Sequence, residues 1–223
     1  MSHIEKLLSV YPVAGRDVAD VGAGDGTFSA QLDAAGARVT GIEIDEAKVA
    51  AAAAKLPASV TMRVGRAEAL PLDDGSMDLM CFFFSFHHVP MAVQSQALDE
   101  VRRVLRPGGR LHVVEPYPHG AMFEVGKWVE DETGVRTNSH RIMSDLGARP
   151  PFREIARLDY TLTRGFADFD AYVKRSVSIN PARAALFPAV EATMRAAFER
   201  NSVPRDGLRE LDQPCCAYHF EVA

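Results

Sequence analysis

The chain has 223 residues, 47% of them apolar and 25% charged, with a net charge of −5 and a pI near 5.8. That is enough chain for one domain with a sizeable core, and its acidic balance excludes gripping nucleic acid or anionic membrane by bulk electrostatics. The three cysteines, Cys81, Cys215 and Cys216, show no C-x-x-C or Cys/His ligand spacing, which excludes a disulfide framework and a structural zinc.

No apolar run approaches the ~18 residues of a membrane span. The N-terminal residues lack the long apolar centre of a signal peptide, so a cytoplasmic location is expected. Residues 3–10 read as a short amphipathic helix ended before Pro12. Asp17–Val21 reads as a buried strand, followed by a glycine turn, Gly22–Gly26, and a helix over Thr27–Ala35 with Gly36 at its C-terminal cap. Arg38–Ile44 is a second strand. Asp45 caps a helix that runs through the alanines to about Leu56, where Pro57 stops it.

Val60–Val64 is a third strand, and Gly65–Ser76 a loop with turn chemistry in PLDDGS. Met77–Phe84 is nearly all apolar, as a strand buried on both faces requires, and Cys81 within it is a core residue. Gln94–Leu105 is a helix, Arg106–Gly109 a turn, and Arg110–Glu115 a fifth strand. The second half reads differently. Tyr117–Thr137 is irregular or helical and holds the one tryptophan, Trp128. Helices are expected over Ser139–Leu146, Asp168–Val177 and Pro188–Arg200, and strands over Phe152–Thr163 and Cys215–Val222.

The β–α alternation predicts a Rossmann-like, doubly wound α/β sheet. It should be mostly parallel with an antiparallel late strand, and have helices on both faces. Residues 1–223 read as a single domain. Residues 1–115 form its ligand-binding half, and 116–223 add two late strands and extra helices over the ligand end.

In such a sheet, ligands bind at the carboxyl ends of the strands. The glycine turn is one such end, where positive φ angles and missing side chains let a ligand lie on the backbone at a helix N-terminus. Its spacing is G-x-G-x-G, with Asp20 two residues before Gly22. A carboxylate there repels a pyrophosphate and suits a cationic group, which argues against a nucleotide-dependent oxidoreductase. Glu43, about twenty residues on, can accept hydrogen bonds from both hydroxyls of a ribose. The third strand ends at Gly65-Arg66-Ala67-Glu68, where a base would lie, and the fourth ends at Phe83–His88, facing the reactive end of the ligand.

Five segments stand in order: DVADVGAGDGTF, GIEID, GRAEALPLDDGSMD, FSFHHV and VRRVLRPGGRLHVVEP. Together they resemble the class I S-adenosylmethionine-dependent methyltransferases, of the small-molecule type seen in quinone biosynthesis. The resemblance covers residues 16–115 well and the remainder as general architecture. It implies that Asp20 and the backbone of Gly22, Ala23 and Gly24 hold the methionine part of S-adenosylmethionine, with Asp20 binding the ammonium directly or through water. Glu43 would take the ribose hydroxyls, Ile44 would pack on the adenine, Ala67 would offer its backbone to the ring, and Phe83 would contact the methionine moiety. Arg106-Pro107-Gly108-Gly109 would be structural.

Arg66 departs from the pattern. It stands where such proteins usually carry Asp for the adenine amino group, and a guanidinium only donates. It would stack on the purine, or Glu68 would reach in. The activity implied is methyl transfer to a small molecule, leaving S-adenosylhomocysteine. The alternative is a non-catalytic nucleoside-binding or interaction module that keeps the fold.

A base is needed only if the acceptor must lose a proton. His87 and His88 are the first candidates, followed by His119 and Tyr117, with Glu115 as a further cleft carboxylate. The fourth strand lacks an [Asn/Asp]-Pro-Pro-aromatic segment and a Pro-Cys, which makes nucleic acid an unexpected acceptor. Residues 1–12 and helices in 116–210 would face the substrate, with Phe123, Trp128, Phe166, Phe169 and Tyr172 as candidate lining. So short an N-terminal cover leaves the pocket open, or closed by a partner subunit in a homodimer.

Overall fold

The computed structural model describes residues 2–223. Its strands are β1 (Asp17–Val21), β2 (Arg38–Glu43), β3 (Thr61–Val64), β4 (Met77–Phe83), β5 (Leu105–Pro116), β6 (Phe152–Phe166), β7 (Val203–Arg205) and β8 (Leu208–Val222). Its helices are α1 (His3–Leu8), α2 (Thr27–Ala34), α3 (Glu46–Ala53), α4 (Gln94–Val104), α5 (Ala121–Gly126), α6 (Thr133–Leu146), α7 (Phe169–Ile179) and α8 (Phe187–Asn201). The strand order is β3-β2-β1-β4-β5-β8-β6, with β7 on β8. The pairs β1–β2, β1–β4, β2–β3 and β4–β5 are parallel, and β7–β8 is antiparallel. This is the mixed, mostly parallel α/β sheet that the alternation predicts.

The chain divides into two compact units. One takes the residues up to Glu115 with Asn138–Leu158 and Cys216–Ala223, and the other takes Pro116–Thr137 and Asp159–Cys215. In the first, Leu7, Val13, Val18, Phe28, Leu32, Val39, Leu79 and Cys81 form a buried cluster. Most of these sit where strand alternation or a helical stripe points them inward. In the second, Phe166, Phe169, Tyr172, Phe187, Met194 and Phe198 are buried together. Three of the expected pocket aromatics are therefore core residues of this unit. Phe123 is also buried, while Trp128 is exposed.

Local chemistry sets the boundaries. Ser2 and Glu5 make a reciprocal capping box on α1. Asp45 accepts from the amides of Ala47 and Lys48 and starts α3. The Arg106–Gly109 turn is looped out of β5, whose pairing with β4 jumps from Leu105 to Arg110. Arg106 ties Asp17 and Asp78 together, at 3.0 and 2.9 Å, at the amino ends of β1 and β4, a structural role at the far end of the sheet from the glycine turn.

Candidate functional site

The carboxyl ends of β1 and β2 are joined by hydrogen bonds. Gly22, Gly24 and Gly26 all have positive φ, at 76°, 58° and 79°. At Gly22 a Cβ would stand 2.5 Å from the Ser85 Cβ, so a side chain is excluded, whereas at Gly24 it would meet nothing within 4 Å. The backbone at Gly24 is thus bare and open. Glu43, at the tip of β2, reaches back to it. One carboxylate oxygen accepts the Gly24 amide at 3.0 Å, and the other accepts the amides of Ile44 and Asp45 at 2.9 and 3.1 Å. Three of its roughly four acceptor positions are therefore engaged.

Asp20 lies beneath the turn, only 1% exposed. Its carboxylate accepts the Ser29 hydroxyl at 2.6 Å. Burial, partly offset by that bond and reinforced by the charges of Glu43 and Asp25, pushes its pKa up to about 6. At 1% exposure the carboxylate is shielded from solvent. Ile44 follows Glu43 as an exposed apolar side chain, 56% accessible.

After β3, Ala67 is half-buried. Arg66 and Glu68 bind each other at 2.5 Å, which lowers the Glu68 pKa against the opposing effect of its own burial. Neither reading of Arg66 from sequence, stacking on a base or leaving Glu68 to reach in, included this mutual pairing.

The tips of β4 and β5 carry a second group of polar side chains. Phe83 ends β4, stacked on Phe28 at 4.7 Å and edge-on to His3 at 4.1 Å. The backbone then turns left-handed at Phe84, φ 52°, and Ser85 donates to the Val21 carbonyl at 2.6 Å. This places Phe86–His88 in a short 3-10 turn. His87 is buried and His88 exposed, with their rings 4.0 Å apart. The His87 Nδ1 lies 2.7 Å from Glu115 Oε2, and Ser139, on α6, donates to the same oxygen at 2.7 Å. Glu115 and Ser139 are fully buried, and Glu115 Oε1 has no hydrogen-bond partner. Beside them Gln94 donates to the Val89 carbonyl and accepts from Asn138. Tyr117 and His119 belong to the other unit, where they stack at 5.2 Å and Tyr117 donates to Asp159.

The structure thus joins Asp20, Gly22, Ala23, Gly24, Glu43 and Ile44 at one pair of strand tips, and Phe83, His87, His88 and Glu115 at the next. Ser29, Ser85 and Ser139 were missed from sequence. Each partner lies far along the chain, and a lone serine in a helix or loop carries no periodic signal.

Residues 19–113 match a family described as methyltransferase domain. An uncharacterised methyltransferase of Mycobacterium tuberculosis is 40% identical over 103 residues, covering 46% of this chain and 41% of that protein. A demethylmenaquinone methyltransferase of Clavibacter sepedonicus is 37% identical over 109 residues, covering 48% of this chain and 44% of that protein. The chain thus aligns with less than half the length of these curated relatives. A solved S-adenosylmethionine-dependent methyltransferase of Aquifex aeolicus shares the fold, with a TM-score of 0.60 at 16% identity over 99% of this chain and 90% of that one. Residues 19–113 are thus similar to the methyltransferase domain family, and the chain shares the Rossmann-like fold of a solved S-adenosylmethionine-dependent methyltransferase.

Proposed function

We propose that this chain is an enzyme that transfers the methyl group of S-adenosylmethionine to a small-molecule acceptor. The observation that carries the reading is the open backbone at Gly24, tied by its amide to the Glu43 carboxylate. A bare left-handed turn beside an acidic strand tip fits an amino-acid end followed by a ribose, and the exposed Ile44 next to it fits a base. Gly22, Ala23 and Gly24 would hold the methionine part, Glu43 the ribose through its remaining acceptor position, and Ile44 and Ala67 the adenine. Arg66 would border that ring, and Phe83 would lie at the methionine end.

Of the two expected modes of ammonium binding, direct or through water, the burial of Asp20 favours the indirect one. Sealed beneath the turn, it would favour the cation through its field. The cofactor supplies a methyl group already activated on a sulfonium, so the protein's share is proximity, orientation and exclusion of water. The net charge of −5 supports a small acceptor over nucleic acid.

Calorimetry tests the reading. S-adenosylmethionine and S-adenosylhomocysteine should both bind in the micromolar range, and labelled methyl should reach an acceptor in a metabolite pool. No heat at millimolar ligand would sink it. The second reading, a binding module without catalysis, is favoured by the Arg66–Glu68 pair, which withholds the Glu68 carboxylate from an adenine amino group. Binding without transfer to any acceptor would select it.

A further inference from the structure

A cavity between α7 and α8 lies wholly within the second unit and shares no residue with the strand tips. Its volume is about 320 Å³, at the lower end of the ~300–1,000 Å³ common for small-molecule sites. The floor is Phe169, Val173 and Phe187, and the rim is Asp170, Lys174 and Glu191. Helical spacing sorts the two sets. Phe169 and Val173 stand one turn apart on α7, and Asp170 and Lys174 repeat that step on the adjoining stripe. Phe169 and Phe187 belong to the buried core of this unit, so the floor is part of a packed interior. The three rim residues are all exposed.

The charges at the mouth are unequally partnered. Asp170 and Lys174 have the i,i+4 spacing that often pairs an acid with a lysine, yet the Asp170 carboxylate goes to Arg195, on α8, at 3.1 Å. Glu191 binds the same guanidinium at 3.0 Å, and Arg195 also lies over the Phe169 ring, 4.4 Å from its centroid. Arg195 thus occupies both acids. Among the described residues no carboxylate pairs with the Lys174 ammonium, which is left as the unanswered charge of the rim.

We propose that this cavity is a binding site for a small amphipathic carboxylate, with its apolar body on Phe169, Val173 and Phe187 and its charged end on Lys174. Burial of the apolar body supplies the affinity, and the ammonium supplies the choice of charge. Asp170 and Glu191 stand against a small inorganic anion, which has no apolar area to offset their repulsion. The site owes nothing to the glycine turn, so it stands or falls apart from the methyltransferase reading.

Nitrogen-15 NMR of the full chain, titrated with phenylbutyrate, tests this. Saturable amide shifts should appear on α7 and α8, around Val173, Lys174 and Glu191. Neutral phenylbutanol should bind about two- to fivefold more weakly, and inorganic phosphate should not bind. Lys174→Gln, an exposed change, should bring the acid down to the level of the alcohol and leave the alcohol where it was. Val173→Phe should fill the cavity and abolish both. If that variant does not fold, the wild-type shift map and the Lys174→Gln comparison decide. Shifts that saturate elsewhere, phenylbutylamine binding as tightly as the acid, an acid affinity untouched by Lys174→Gln, or no saturation at tens of millimolar each overturns the proposal.

Discussion

The two pairs of strand tips spend their carboxylates differently. At β1 and β2, Glu43 has both oxygens engaged, and every donor is a backbone amide. At β4 and β5, Glu115 has one oxygen carrying a histidine and a serine and the other carrying nothing. Backbone amides do not titrate, so the first carboxylate is a fixed strut that shapes a loop. The second is held by two side chains, an imidazole and a hydroxyl. Two acids of like kind in one sheet are thus set apart by what donates to them.

The largest effect expected is at the strut's foundation. Gly22→Ala forces a left-handed alanine against Ser85, and the clash and the φ strain together should cost about 3 kcal/mol or more. Denaturant unfolding reads this. Gly24→Ala sharpens the contrast. Its Cβ meets nothing, so stability should fall by only about 1 kcal/mol, while the bare backbone that a ligand would use is lost. A Gly24→Ala protein that binds S-adenosylmethionine normally would break the reading of that turn as a cradle.

Glu43→Gln comes next. A carboxamide has one oxygen for three amides and turns a donor toward the others, so about 2–3 kcal/mol should be lost on unfolding, and cofactor affinity with it.

Acid should separate two buried groups with opposite signs. His112 and His219, both buried, meet at 3.2 Å through their Nδ1 atoms, and neither Nε2 has a partner. Burial, with Arg110 nearby, pushes His219 from 6.5 down to about 4, and burial with His219 and His3 lowers His112 as well. Tyr11 lies near the His219 ring, and Arg110 pairs with Glu221. The native state therefore binds fewer protons than the unfolded chain, and stability is lost as pH falls from about 6.5 toward 4. Asp20 works against this. Its native pKa of about 6 exceeds the ordinary 3.8, so it adds stability over much of the same interval. With two histidines against one carboxyl, the net should be a loss of stability between pH 6.5 and 4. A His112→Asn, His219→Asn double variant should reverse the slope, and an unchanged slope would refute the assignment.

Asp20 also couples to ligand. A cation near it favours its ionised form, so cofactor binding around pH 6 should expel protons, and affinity should weaken by up to about tenfold per pH unit below that. Calorimetry in buffers of different ionisation heat measures the protons directly. Arg66→Ala should do least. Its partner Glu68 is retained and an exposed pair is worth about 0–1 kcal/mol, so the dissociation constant should move by less than tenfold.

The first half of the sheet was legible because its signals are local. Glycines at alternate positions, an Asx cap at Asp45 and an unbroken apolar run at Met77–Phe83 each specify their own element. The second half shows where local signals stop. The final strand begins at Leu208, seven residues before the expected Cys215, and the β7–β8 hairpin was not foreseen. Charged Arg209, Glu210 and Asp212, and then Pro214, hide the alternation there. Helix α6 starts at Thr133 rather than Ser139, because Gly134 and a polar first turn lack helical periodicity. The site divides in the same way. Glu43 was visible from its spacing to the glycines, whereas its amide partners, and the Glu115–Ser139 and His112–His219 contacts, are made by tertiary folding alone.

Arg103, on α4, holds the loop after β3 from a distance. Its guanidinium donates to the Leu70 and Leu72 carbonyls and to Asp74, while Glu100 accepts the Leu70 amide. Sheet pairing fixes a segment residue by residue, but this clasp grips the loop at a few points on one side, while the tip around Arg66 and Ala67 closes on itself, the Ala69 amide donating to the Arg66 carbonyl at 3.1 Å. Such a segment is a replaceable cassette. Its tip can be rewritten without losing the path of the loop, provided the clasp on α4 and its carbonyl footholds are kept.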